Sequence, residues 1–106
     1  MATIARTPTP PYYAVIFTSE RSDVSDGYAD MAKDMMELVQ GQPGFLGVES
    51  APGITISYWR DLASIRQWKE NERHQLAQAN GKAVWYDAYQ TRICKVERDY
   101  GFHRET

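Results

Sequence analysis

Between Trp68 and Arg92 the chain gathers two of its three tryptophans, two of its seven tyrosines and one of its two histidines. The side chains that can do chemistry there are Trp68, Asn71, His74, Gln78, Trp85, Tyr86, Tyr89 and Arg92. Aromatic walls with a few placed polar groups are what a pocket for a small molecule needs. Upstream, Thr55, Ser57 and Trp59 share one face of a strand and add two hydroxyls that can bond a ligand. No histidine and carboxylate are spaced to activate either hydroxyl, so serine-type hydrolysis is not indicated. The glycines are scattered and form no phosphate cradle. Cys94 is the lone cysteine, which rules out an intrachain disulfide and a thiolate metal site built from one chain. The chemistry indicated is recognition of a flat organic molecule, with no metal.

Each of these residues also has a plain structural reading. On an ideal helical wheel His74 lies opposite the stripe of Ile65, Trp68, Leu76, Ala79 and Ala83. Gln67, Asn71, His74 and Gln78 then form either the polar wall of a cavity or an ordinary wet face. Trp68, on the margin of the stripe, suits a core as well as a ligand wall. Trp85, Tyr86 and Tyr89 can equally pin the helix exit onto the sheet. Arg92, beside Ile93 and Cys94 on a strand expected to be central, either pairs with Glu49 or Glu97 or faces a cavity. Cys94 is expected to be a small buried hydrophobe.

The elements that must position these groups follow from periodicity. Tyr12–Glu20 alternates Tyr12, Ala14 and Ile16 with Tyr13, Val15 and Phe17, a strand with two apolar faces. Tyr28, Met31, Ala32, Met35, Leu38 and Val39 predict a helix from about Ser25 to Gly41, stopped by Gly41 and Pro43. Strands at Phe45–Ser50 and Ile54–Arg60 flank the turn Ala51-Pro52-Gly53. Asp61 caps a helix over Leu62–Asn80, and Gly81 supplies its stop. An aromatic stretch, Trp85–Ala88, leads to a last strand over Tyr89–Arg98.

The order β-α-β-β-α-β is the split βαβ, ferredoxin-like α+β arrangement with an antiparallel sheet. Two helices cover one face of such a sheet. The apolar second face predicts a homodimer with sheets face to face, because a monomer rarely leaves so large a patch wet. At 106 residues the chain is one domain: a flexible arm at 1–11, the folded unit at 12–102 and a tail at 103–106. A net charge of −2 gives no basic field for nucleic acid or an anionic membrane. The proline-rich start has no apolar leader segment, and no span is long enough to cross a bilayer. With one cysteine, a reducing cytoplasm is the expected location.

In this order of elements, Pro43-Gly44-Phe45, Ile54 to Trp59 and the helix carrying Trp68 resemble the antibiotic biosynthesis monooxygenase family, over Tyr12 to about Phe102. The longer pattern through Lys69, His74, Gln78, Gly81, Trp85, Tyr86, Arg92, Val96, Glu97 and Arg98 is similar to a bacterial subgroup of it. The resemblance implies a dimeric α+β barrel and oxygenation of a small phenol or hydroquinone with dioxygen, without cofactor. It implies walls from Trp59, Trp68 and Trp85, an anion-favouring Arg92, and His74 as the group titrating near neutrality. A non-catalytic small-molecule binding or stress-response module is the alternative. Haem-degrading relatives suggest a third reading, a haem-handling oxygenase, but Gln78 stands where their haem-ligating histidine would fall.

Overall fold

The computed structural model describes residues 3–78 and 82–104, and the side chains in those ranges apart from 75–78, 82 and 83. The two-residue alternation at the start produces β1 (Tyr12–Arg21), followed by α1 (Tyr28–Gln40), β2 (Phe45–Ala51) and β3 (Ile54–Trp59). Then come α2 (Leu62–Gln78), the single turn α3 (Lys82–Trp85) and β4 (Tyr86–Val96). All neighbours are antiparallel in one open sheet of order β2-β3-β1-β4. This is the ferredoxin-like α+β fold that the order of elements predicted.

Local chemistry sets the boundaries. Asp61 Oδ1 accepts the Ser64 amide at 2.8 Å, the capping bond expected at the start of α2. The same bond, ahead of the Ser64 side chain, holds the Asp61 carboxyl below the usual carboxylate range. The expected stop at Gly81, with Asn80, lies outside the described residues. At the turn into β2, Gly44 has φ 80°, and a Cβ there would land on the Ser64 side chain. Only glycine combines that backbone angle with so close an approach. The Gly44 carbonyl accepts the Arg60 amide at 2.8 Å, tying the starts of β2 and α2 together.

Three expectations are corrected at β4. The strand begins at Tyr86 and not Tyr89, because a bulge between Glu20 and Arg21 lets Arg21 pair with Tyr86. It is also the edge strand and not a central one. Arg92, opposite Ile16, and Cys94, opposite Ala14, therefore stand on the uncovered face, and both are exposed. The buried Cys94 that the sequence suggested is a free, exposed thiol.

The helices cover the face that carries Tyr13, Val15, Phe17, Thr55, Ser57 and Trp59. Val39, Trp59, Ile65 and Trp68 form the core there, with Tyr13, Val15, Met35, Leu38 and Phe45 packed against them. On the face away from the helices lie Ile16, Ile54, Ile56 and Tyr58, each half-buried, with Tyr12 and Ala14, both buried. The N-terminal arm crosses the β2 end of this face. The Ala5 amide donates to Glu49 Oε2 at 2.9 Å. A Cβ at Gly47 would stand 2.9 Å from that of Ala5, so the glycine makes room for the arm. Glu49 also accepts the Tyr58 hydroxyl at 2.7 Å, which commits its carboxylate to these partners and not to Arg92. Among the described residues no helix is long and apolar enough to cross a membrane.

Candidate functional site

A cavity of about 380 Å³ opens between the helices and the sheet. Its floor is β1, β3 and β4, where the inward alternation brings Val15, Phe17, Thr55, Ser57 and Thr91 to one surface. Its roof is Met31, Met35 and Val39 of α1, with Ile65 and Trp68 of α2. The volume suits a one- or two-ring organic molecule, and the lining is mostly apolar with scattered hydroxyls.

One end is an aromatic cluster. Phe17 packs edge-on to Tyr86 with ring centroids 5.7 Å apart and tilted against Tyr89 at 5.4 Å. Tyr28 meets Tyr86 edge-on at 5.9 Å. Arg21 lies 3.3 Å over the Tyr28 ring while its Nε donates to the Trp85 carbonyl at 3.1 Å. This cation–π contact fixes the Tyr28 ring from its outer side. Burial first, and then the hydrogen bond with Tyr28, keep the Tyr86 hydroxyl protonated well above the usual tyrosine range. Tyr86 is thus a hydrogen-bond donor at any physiological pH.

The other end rests on tryptophan. Trp68 lines the cavity and stacks at 6.0 Å on Trp59, which is completely buried beneath it. The Trp59 indole donates to Ser57 Oγ at 2.9 Å. That bond uses one Ser57 lone pair and leaves the hydroxyl hydrogen available to a ligand.

The structure divides the expected site residues. Ser57, Trp68, Tyr86 and Tyr89 are brought together as cavity lining. Trp59 lies under the floor. Trp85 is buried beside a second, smaller cavity of about 310 Å³ near Asp26 and Asp30, and its indole donates to the Asp26 carbonyl at 2.8 Å. Asn71 reaches away from the cavity to donate to Gln42 Oε1 at 2.9 Å. His74 is exposed on α2 and does not line the cavity, and Arg92 stands on the opposite face of the sheet. The side chain of Gln78 lies outside those described.

Glu72 was not anticipated. It lines the cavity, half-buried, close enough to Tyr86 for its charge to oppose ionisation of that hydroxyl. Its signal was present in the sequence: Ile65, Trp68, Glu72 and Leu76 share one helical stripe, and a carboxylate interrupting an apolar stripe marks a polar group held inside. Phe17, Tyr28 and the methionines of α1 read only as core. Among the described residues no three His, Cys, Asp or Glu side chains are gathered as a metal site.

Comparison with known proteins adds the family. The family model for antibiotic biosynthesis monooxygenases matches residues 11–80. The uncharacterized protein YqjZ of Bacillus subtilis is 44% identical over 97% of this chain and 95% of its own length. A jasmonate monooxygenase of Pyricularia oryzae is 29% identical over 79% of this chain, which spans 43% of that longer protein. Two crystal structures share the fold. NE2512 of Nitrosomonas europaea has a TM-score of 0.58 at 18% identity, over 91% of this chain and 97% of its own. PA3566 of Pseudomonas aeruginosa has 0.57 at 14%, over 90% and 99%.

Proposed function

This chain belongs to the antibiotic biosynthesis monooxygenase family, and on that premise we propose that its cavity binds a small electron-rich phenol or hydroquinone and oxygenates it with dioxygen. The observation that carries the reading is the aromatic enclosure formed by Phe17, Tyr28, Tyr86 and Tyr89 opposite Trp68, with hydroxyls on the floor and one carboxylate inside. The substrate itself supplies the electrons, and no separate cofactor takes part.

The steps balance for a phenol whose reacting ring carbon bears a hydrogen and is a methylene in the keto tautomer. The substrate loses a proton to Glu72, and its anion passes one electron to dioxygen. The radical pair joins at carbon, and the proton returns from Glu72 to give a hydroperoxide. Loss of water from that hydroperoxide leaves a carbonyl, so one oxygen atom enters the product and the other departs as water. A carboxylate is a weak base toward a phenol, so the anion must be favoured by donors. The Ser57 hydroxyl fills that role, and Trp68 with the aromatic end keeps water out.

Arg92 belongs in this reading to a homodimer face. Ile16 and Ile56 pair across strands on the uncovered side, and a second copy laid on it would bury them with Arg92 at the rim. The cytoplasm remains the proposed location, and His74 a surface residue of α2.

Oxygen uptake by the purified chain against a panel of hydroquinones and polycyclic phenols tests the function. Protein-dependent uptake with one water formed per carbonyl is expected. Tight binding of the same compounds with uptake no faster than in buffer would overturn oxygenation and leave a non-catalytic binding module.

A further inference from the structure

The mouth of the cavity is chemically one-sided. On the α1 lip stands Met36, exposed and apolar. On the α2 lip stand Arg66, Lys69 and Arg73, at helical positions that place them in one row, with Glu70 beside them, all exposed and all lining the cavity. The adjacent row of the same helix, Ile65 and Trp68, turns inward. Arg73 is taken: its Nη2 lies 2.7 Å from both carboxylate oxygens of Glu70. Arg66 and Lys69 make no ion pair among the described residues. The chain as a whole is negative, at −2, so this positive lip is a local feature and not a share of a basic surface.

Resting on the cavity reading above, we propose that the substrate is an amphipathic carboxylate whose acid group is held between Arg66 and Lys69 while its aromatic body enters over Trp68. Two cations one turn apart beside an apolar opening select a molecule with charge at one end and none at the other. Anchoring the acid at the lip directs the far end of the body toward Phe17, Tyr86 and Tyr89, where Glu72 is. The carboxylate takes no part in the reaction. Its contribution is orientation, which converts loose occupancy of a greasy cavity into one pose.

The discriminating experiment is calorimetric titration of the full chain with 1-naphthylacetate and with its methyl ester, at low and high salt. We expect the acid to bind about tenfold or more tightly than the ester, as charge-assisted hydrogen bonds give. Added salt should weaken only the acid. The double variant Arg66→Gln, Lys69→Gln should make acid and ester alike, and both positions are exposed on a helix where glutamine is well tolerated. Equal binding of acid and ester by the parent chain, or a preference that survives the double variant, overturns the carboxylate site while leaving the cavity intact. Failure of both compounds to bind overturns the cavity reading and this proposal with it.

Discussion

The indole of Trp68 lies 27° from parallel with that of Trp59, the ring centroids 6.0 Å apart. One ring is the visible wall of the cavity and the other its sealed foundation. Trp68→Ala should therefore destabilise the fold by about 3 kcal/mol, the usual scale for losing a large buried aromatic. Urea unfolding measures this, and Trp68→Phe should recover more than half of the loss.

Glu72→Gln separates chemistry from packing. The amide keeps the shape of the side chain and loses its basicity, so turnover in the oxygen-uptake assay should fall roughly 10²- to 10⁴-fold. An equal loss of turnover in His74→Gln would return the proton-accepting role to the histidine.

Alkaline pH should loosen the molecule in a defined direction. Burial first raises the hydroxyls of Tyr12, Tyr58 and Tyr86 above the ordinary tyrosine value of 10.0. Above that value the unfolded chain releases these protons while the folded chain retains them. Stability present below pH 10 is consequently lost as pH rises toward the folded values. Absorbance titration near 295 nm should show part of the seven tyrosines ionising normally. The remainder should ionise only together with loss of the circular dichroism signal.

Ile16→Asp places a charge among Ile54, Ile56 and Tyr58 on the uncovered face. Light scattering after size exclusion should report a mass of two chains for the parent and one for the variant. A parent that elutes as a single chain would remove the face-to-face dimer.

Gly44→Ala should cost about 1–3 kcal/mol from its left-handed backbone alone, and more because the added methyl meets Ser64. The thermal midpoint reads this out, and Ser64→Gly in the same chain should restore part of it.

Much of the architecture was legible because periodicity is a local property. The stripe of α1 from Tyr28 to Val39, the Ala51-Pro52-Gly53 hairpin and the Asp61 cap follow from neighbours in sequence. Which face of a strand is covered does not. In β3 one face, Ile54, Ile56 and Tyr58, is apolar and the other, Thr55, Ser57 and Trp59, is mixed, and the alternation alone does not say which of them the helices cover. A cavity needs hydroxyls under its roof, and a pairing surface needs none. The same non-local fact moved Arg92 to the opposite face from the cavity, and gave Trp85 a packing role beside α1. Ser57, Trp68, Tyr86 and Tyr89 were foreseeable because their types suit a ligand wall on either reading.

The two sides of the cavity differ in stiffness. Its floor consists of β-branched, hydroxylated and aromatic residues fixed on a sheet, while half of the six α1 residues that line it are Met31, Met35 and Met36, unbranched thioethers that repack at little cost. The enclosure works as a vice with one fixed jaw and one padded jaw. Molecules that vary in outline toward α1 will be accommodated, those that vary toward the sheet will be refused, and a family of related compounds sharing one edge is the natural clientele.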